Sequence, residues 1–221
     1  MTVFRWPWPV AIAIVLVAGP QVRAQSPAKS PHVGYVYPGG GCRGTTIEVV
    51  VGGEDVKQVT DAYVTGGGIQ TRIVRWYRPM TQGEYVGLSM KISNTIEELE
   101  KVRGKGKVPQ ELAIKTAGIT EEQLKEMEIY RKREADPKRQ PNPQIAEELT
   151  VEMQISPDAT LGERELRLLN AAGMSNPLFF FVGQYPELRE QEPNDVAPHT
   201  TVYVKLPSII NGQIMPGDVD R

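Results

Sequence analysis

The sequence predicts a mainly β domain that is interrupted by a helical hairpin. Two stretches of strand-like patterning, residues 32–77 and 147–183, flank a region rich in Lys, Arg and Glu. In residues 149–155 the side chains alternate strictly between apolar and polar. A period of two places one set on a buried face, and its apolar members are Leu149, Val151, Met153 and Ile155. The charged region between the two stretches has apolar residues at helical spacing instead.

Four strands are predicted before the insertion, because β-branched and aromatic residues alternate there with polar ones. They are expected at His32–Tyr37, Thr45–Val51, Asp61–Thr65 and Ile69–Tyr77. The first is expected at a sheet edge. Residues 38–41, a proline and three glycines, are predicted to form a turn. Gly52 and Gly53 are predicted to end the second strand.

The insertion is expected at about residues 79–143 and to contain two helices. Its first helix, from about Gln82 to Val102, carries the apolar stripe Leu88, Ile92, Ile96 and Leu99. A capping sequence from Thr120 to Gln123 predicts the start of a second helix, which runs to about Ala135. Residues 136–143, with three prolines, are the expected connector back to the sheet.

Two interpretations of the hairpin stay open at this point. Between Arg78 and Gln140 it carries both charge signs in nearly equal number, as a solvated surface does. Insertions on a rigid β-domain often carry recognition. Alternatively, the apolar stripe covers an open sheet edge and hides it from aggregation.

The N-terminus has the pattern of a secretory signal peptide at residues 1–24. Arg5 precedes the apolar run Val10–Ala18, and a cleavage site is predicted after Ala24. The run is about half of the ~20 residues that span a bilayer, and no later stretch replaces it. We therefore expect a secreted, periplasmic or cell-surface protein without a transmembrane segment in its mature chain, with residues 25–31 as a flexible leader. A retained signal anchor is the alternative.

Composition argues against several classes of function. Cys42 is the only cysteine, so no intramolecular disulfide is expected. Removal of Arg5 and Arg23 with the signal leaves 23 basic against 27 acidic residues, which disfavours nucleic acid as a partner. The two histidines, His32 and His199, stand near opposite ends of the mature chain and suggest no catalytic or zinc constellation. The sequence thus predicts a protein that is not an enzyme.

Two blocks of sequence resemble IPT/TIG-type immunoglobulin-like domains. The first is a Pro–Gly turn followed by a strand that opens with Gly-Thr, and the second matches the last two strands with their hairpin. The matching positions are residues 38–41, 44–52, 157–159, 162, 166–168, 173 and 175–183. The resemblance implies an immunoglobulin-like β-sandwich over residues 32–183, which departs from the family in its helical insertion.

The C-terminal residues 184–221 are expected to be a linker followed by the truncated start of another module. Residues 192–195, 206–207, 210–214 and 217–220 resemble the start of a bacterial pre-peptidase C-terminal domain. Some of these domains bind calcium through carboxylates and an Asn, oxygen donors that Ca²⁺ prefers. The matching positions are Glu190, Glu192, Asn194, Asp195, Asp218 and Asp220. The alternative is an ordinary acidic, solvated linker.

The combination of these features resembles large secreted proteins of planctomycete-type bacteria. The sequence favours an exported, non-catalytic binding or cell-surface interaction module, whose partner is a protein or a cell-surface polysaccharide. The alternative is the N-terminal accessory region of a larger secreted hydrolase, a peptidase in particular, with its catalytic part absent from this chain.

Overall fold

A computed structural model describes residues 29–104, 107–190 and 204–212 of the chain. Strands account for 38% of the described residues and helices for 27%, so this part of the chain is mainly β, as predicted. The predicted signal peptide and residues 25–28 of the leader lie outside the described residues. The end of the leader contacts the body, because the Asn170 side chain donates a hydrogen bond to the Lys29 carbonyl (2.7 Å).

The first sheet contains four antiparallel strands. They are β1 (His32–Tyr37), β3 (Thr46–Glu54), β5 (Ile69–Tyr77) and β6 (Glu147–Ile155), in the spatial order β1-β3-β6-β5. The alternating segment identified from sequence is the interior strand β6, and all four of its predicted inward side chains are buried. β1 lies at the sheet edge, as predicted.

The second sheet has the order β2-β9-β7-β4, with a short strand β8 paired to β7. Its strands are β2 (Gly40–Cys42), β4 (Asp61–Val64), β7 (Gly162–Asn170), β8 (Gly173–Met174) and β9 (Leu178–Gly183). β2 runs parallel to β9. The apolar core joins this sheet to the first one: Leu166, Leu168 and Phe180 share a buried cluster with Val49 and Val51. The two sheets form one body, which is compatible with a β-sandwich.

Two predictions about glycines are wrong. The predicted turn at residues 38–41 is partly strand, since Gly40 and Gly41 belong to β2. A Cβ on Gly40 would stand 2.6 Å from the Phe181 carbonyl oxygen, so glycine permits this close strand pairing. Gly52 and Gly53 continue β3 rather than end it, because the Tyr35 ring fills the space over Gly52.

The insertion contains three helices, α1 (Gln82–Arg103), α2 (Gln110–Thr116) and α3 (Glu121–Ala135). α1 and α3 match the prediction, and the expected capping box of α3 is present between Thr120 and Gln123. α2 was not predicted. It has only seven residues and begins after Pro109 without a side-chain cap, so the sequence gives it little signal.

The apolar stripe of α1 packs inside the insertion and does not cover a sheet edge, so that interpretation is wrong. Ile92 lies in a buried cluster with residues that follow α2 or belong to α3, namely Ala117, Ile119 and Met127. Leu88 and Ile96 pack against the same cluster, and Leu99 is half-buried. The insertion therefore has its own small core.

After the second sheet the chain forms another pair of short strands, in the segment predicted as a linker and the start of a further module. β10 (Glu187–Arg189) runs parallel to β11 (Ile209–Asn211). The Tyr37 hydroxyl donates to the Asn211 carbonyl (3.1 Å), which holds β11 against the first sheet. Within the described ranges no helix combines the length and apolar character needed to span a bilayer.

Candidate functional site

A cleft of about 640 Å³ lies where β5 leaves the first sheet and meets α1 and α3. Its volume is within the range of small-ligand sites, and its lining is mainly apolar. Its lining residues are Trp76, Tyr77, Arg78, Met80, Glu84, Gly87, Leu88, Lys91, Gln123 and Glu126. The insertion supplies most of one wall and the end of β5 supplies the other.

A β-bulge in β5 decides which aromatic side chain faces the core. Ile73 pairs with Val151, but Arg75 pairs with Thr150, so one extra residue lies between them. The extra residue shifts the alternation by one position. As a result Trp76 packs against the sheet core while Tyr77 takes the opposite face.

The Trp76 side chain is held on two sides. Its Nε1 donates a hydrogen bond to Oε2 of Glu147 (2.9 Å), and the same oxygen accepts from the Val56 backbone N–H (3.2 Å). The Lys57 ammonium lies 4.8 Å from the centre of the indole ring, within range of a cation–π interaction. The indole therefore has a fixed position at the cleft wall.

Tyr77 links the sheet to the insertion across the cleft. Its hydroxyl donates a hydrogen bond to Oε2 of Glu126 on α3 (3.2 Å). Burial raises the pKa of the Tyr77 hydroxyl, and the negative charge and hydrogen bond of Glu126 raise it further. The neutral hydroxyl is thus the favoured form in this position.

Two residues at the cap of α1, Arg78 and Glu84, also line the cleft beside Tyr77. Glu84 accepts two hydrogen bonds from the Arg78 guanidinium (2.7 and 3.2 Å) and also accepts from the Thr81 backbone N–H (2.8 Å). The Arg78 hydrogen bonds, followed by those from Thr81, lower the pKa of the Glu84 carboxyl to about 2. This carboxylate is committed to the helix cap and to Arg78.

A further set of contacts holds α3 near the end of β5. The Arg133 guanidinium donates to the Met80 carbonyl (2.7 Å) and lies over the Tyr130 ring. Tyr130 in turn stacks on Tyr85 of α1, with 4.5 Å between the ring centres. These contacts of α3 with Met80 and with α1 brace the cleft.

Most polar groups in the cleft lining already have partners, so the surface left for a ligand is mainly apolar. Its lining contains no Ser, Thr, Cys or His that could serve as an activated nucleophile or imidazole base. Its two carboxylates already accept hydrogen bonds, Glu84 from Arg78 and Glu126 from Tyr77. What remains for a ligand is the apolar surface of Trp76, Met80 and Leu88, with Lys91 and Gln123 beside it.

A second cavity, of about 550 Å³, lies at the loop end formed by residues 44–46, 68–70 and 154–158. Its polar groups bond mainly within their own loops. Thr45 donates to the Cys42 carbonyl (2.6 Å) and Ser156 donates to Asp158, which lowers the pKa of that carboxyl. We regard it as the weaker candidate.

The predicted calcium residues fall almost wholly outside the described residues. Of the six, only Glu190 is described, and its backbone N–H donates to the Asn211 carbonyl (3.0 Å). In the described ranges no group of three or more His, Cys, Asp or Glu side chains is placed to hold a metal ion. The calcium site therefore stays a prediction.

The other chemically notable residues from the sequence lie apart from the cleft. His32 opens β1, Cys42 ends β2 rather than occupying a turn, and His199 lies outside the described residues. Sequence patterns identified none of the cleft residues as a site. The available signal was the Trp76-Tyr77-Arg78 run at a strand end directly before an insertion.

No family model matches this sequence, and neither does any curated protein.

Proposed function

We propose that this chain is an exported, non-catalytic binding module whose ligand enters the cleft between the first sheet and the helical insertion. The observation that carries the proposal is the cleft itself. It has an apolar wall at Trp76 and Leu88, while Glu84 is paired with Arg78 and Glu126 accepts from the Tyr77 hydroxyl. An open apolar cavity with few convergent polar groups is the usual form of a ligand site.

In this proposal the scaffold is an immunoglobulin-like sandwich of the IPT/TIG type. The orders β1-β3-β6-β5 and β2-β9-β7-β4 correspond to the two sheets of that fold, with the first strand divided between them. The parallel pairing of β2 with β9 fits such a divided first strand. The resemblance of residues 38–52 and 157–183 to that family supports the same assignment.

The partner in this proposal is a protein segment that places an apolar side chain in the cleft. Trp76, Met80 and Leu88 provide little hydrogen bonding for a sugar ring, whereas burial of an apolar side chain against them is favourable. Lys91 and Gln123 can then bind the partner's backbone or polar groups. A cell-surface polysaccharide is the other class of ligand to be tested.

Export of the protein rests on the signal-peptide pattern of residues 1–24. The intact mass of the protein recovered from the periplasm or medium tests this directly. A chain that begins at Gln25 supports the proposal, whereas a chain that keeps Arg5 and the apolar run contradicts it.

The binding proposal is tested with a matched pair of variants in α1. Gly87 lines the cleft and Gly83 does not, and a Cβ at either position meets open space. Gly87→Phe therefore fills the cleft without disturbing the core, and Gly83→Phe is the control. Neither change introduces a helix-breaking residue.

Loss of the signal peptide leaves Trp76 as the only tryptophan, so its emission reports on the cleft. The mature protein is titrated with a panel of envelope-derived peptides and soluble polysaccharides. The proposal predicts a peptide that shifts the emission and binds about tenfold or more weakly to Gly87→Phe, but equally to Gly83→Phe. Equal binding to both variants, or no ligand that shifts the emission, contradicts it.

A further inference from the structure

On the side away from the core, the second sheet exposes several large apolar side chains. We call this side the outer aromatic face, and define it by Tyr63, Met174, Phe179 and Phe181. Phe179 is 67% exposed, and Phe181 and Tyr63 are each 51% exposed. None of these residues lines the cleft. Large aromatic side chains at such exposure, gathered on one face, mark an interaction surface.

The strand register places these residues next to acidic side chains. On β7, Glu165 is paired with Phe179 and Glu163 with Phe181. On the other side of β7, Arg167 is paired with Tyr63. Paired residues of antiparallel strands share a face, so the aromatic and charged groups form one continuous surface.

The sequence of β9 itself indicates that another molecule covers this face when the protein functions. Residues 178–182 are apolar without a break, which is typical of a strand buried on both sides. In the structure only one side of β9 is buried, and that side carries Phe180 and Val182. The other side presents Phe179 and Phe181, where an antiparallel sheet facing water has polar residues.

The charge of the face limits what can cover it. In the described strand registers, this face carries three carboxylates, Asp61, Glu163 and Glu165, and one base, Arg167. The Arg167 guanidinium already donates to Glu165 (2.9 Å) and to the Ser175 carbonyl (3.2 Å). A second copy of the chain would bring carboxylates against carboxylates, which disfavours self-association through this face.

We infer that the outer aromatic face docks a partner protein whose contact surface combines apolar side chains with Lys and Arg. The apolar side chains pack on Phe179, Phe181 and Tyr63, and the basic groups pair with Glu163, Glu165 and Asp61. This site is independent of the cleft. The chain would then hold two partners, or two parts of one partner, at separate surfaces.

The probe is a synthetic amphipathic peptide of about fifteen residues, long enough for a helix, with Leu at helical spacing and Lys elsewhere. A second peptide carries Glu at every Lys position. Both are titrated into ¹⁵N-labelled mature protein. The inference predicts saturable binding of the Lys peptide alone, with shifts at the amides of Phe179, Phe181 and Glu163.

Two variant pairs test the apolar and the charged parts. Phe179→Ser with Phe181→Ser is predicted to weaken Lys-peptide binding about tenfold or more. The control is Val74→Thr, an exposed apolar position on β5 of the first sheet. Glu163→Gln should weaken binding severalfold and reduce its salt dependence between about 0.05 and 0.3 M. Its control is Glu97→Gln, on an exposed position of α1.

Thermal unfolding of each variant confirms folding, since all the substituted side chains are exposed. The inference is overturned if the Glu peptide binds as well as the Lys peptide, or if Phe179→Ser/Phe181→Ser binds like wild type. Saturable binding of a neutral oligosaccharide that this double variant loses would assign the face to glycans instead. A dimer in sedimentation that the double variant abolishes would assign it to a second copy.

Discussion

The Tyr77 hydroxyl donates a hydrogen bond to Glu126 across 3.2 Å and so joins the end of β5 to α3. The insertion otherwise has its own core, separate from the core between the sheets. Cross-cleft contacts such as this one therefore fix how the insertion lies against the sheet, and with it the width of the cleft.

Tyr77→Phe removes this bond and is expected to loosen α3. A hydrogen bond to a partly exposed charged group contributes about 1 kcal/mol. Hydrogen exchange should quicken in α3 while β6 stays protected. Tyr63→Phe is the matched control, because that tyrosine is exposed on the outer aromatic face. Equal exchange in the two variants would show that the Tyr77 bond does not brace the insertion.

The Arg78–Glu84 pair makes the insertion sensitive to acid. The folded-state pKa of Glu84 is about 2, below its ordinary value of 4.5. A depressed pKa contributes stability that is present above pH 4.5 and is lost as pH falls towards 2. The side chain is half exposed, so solvent screening keeps the effect below about 1 kcal/mol.

Glu84→Gln should flatten this dependence, because Gln keeps the cap of α1 but loses the ion pair with Arg78. Helix content followed by circular dichroism in urea, at pH 7 and at pH 3, gives the comparison. Glu97→Gln on the same helix should keep the wild-type pH dependence. If Glu84→Gln also keeps it, the ion pair does not stabilise α1.

The Asn176 side chain stands in for a strand neighbour of β1. Its Oδ1 accepts from the Val33 N–H (2.9 Å) and its Nδ2 donates to the Val33 carbonyl (2.8 Å). Val33 is 2% exposed, so Asn176→Ala leaves both backbone groups without partners, at a cost of about 1–3 kcal/mol. Chemical denaturation measures this loss in the free energy of unfolding. Asn94→Ala, exposed on α1, is the control, and a loss as small as the control's would contradict this role.

Neighbouring glycines make a second matched comparison. A Cβ on Gly40 meets the Phe181 carbonyl oxygen at 2.6 Å, whereas a Cβ on Gly39 meets open space. Gly40→Ala should therefore separate β2 from β9 and destabilise the fold by about 1–3 kcal/mol, as overpacking does. Gly39→Ala should be nearly neutral. Equal midpoints of thermal unfolding for the two variants would refute the close approach.

The sequence correctly predicted those strands and helices that are favoured by the pattern of their own residues. β6 alternates strictly because one face is buried, and α3 begins at a capping sequence, so both appeared where expected. β2 and the end of β3 could not be predicted this way. Their glycines resemble turn residues, and only their neighbours, the Phe181 carbonyl and the Tyr35 ring, explain them as strand.

The cleft could not be predicted from the sequence, for a related reason. Trp76 rather than Tyr77 faces the core because a bulge shifts the alternation of β5, and a bulge depends on pairing with β6. Glu126 meets Tyr77 through the packing of three helices, one of which the sequence did not predict. Long-range pairing of this kind leaves no local pattern.

The most direct test of the binding proposal is an NMR titration of the mature protein with a ligand from the panel, followed at the Trp76 indole N–H. That group donates to Glu147 at the cleft wall and senses occupation of the cleft. This resonance is expected to shift saturably, together with the amides of Lys91 and Gln123, in wild type and Gly83→Phe but not in Gly87→Phe. Ligand binding that leaves the indole resonance unmoved in wild type would contradict the proposal.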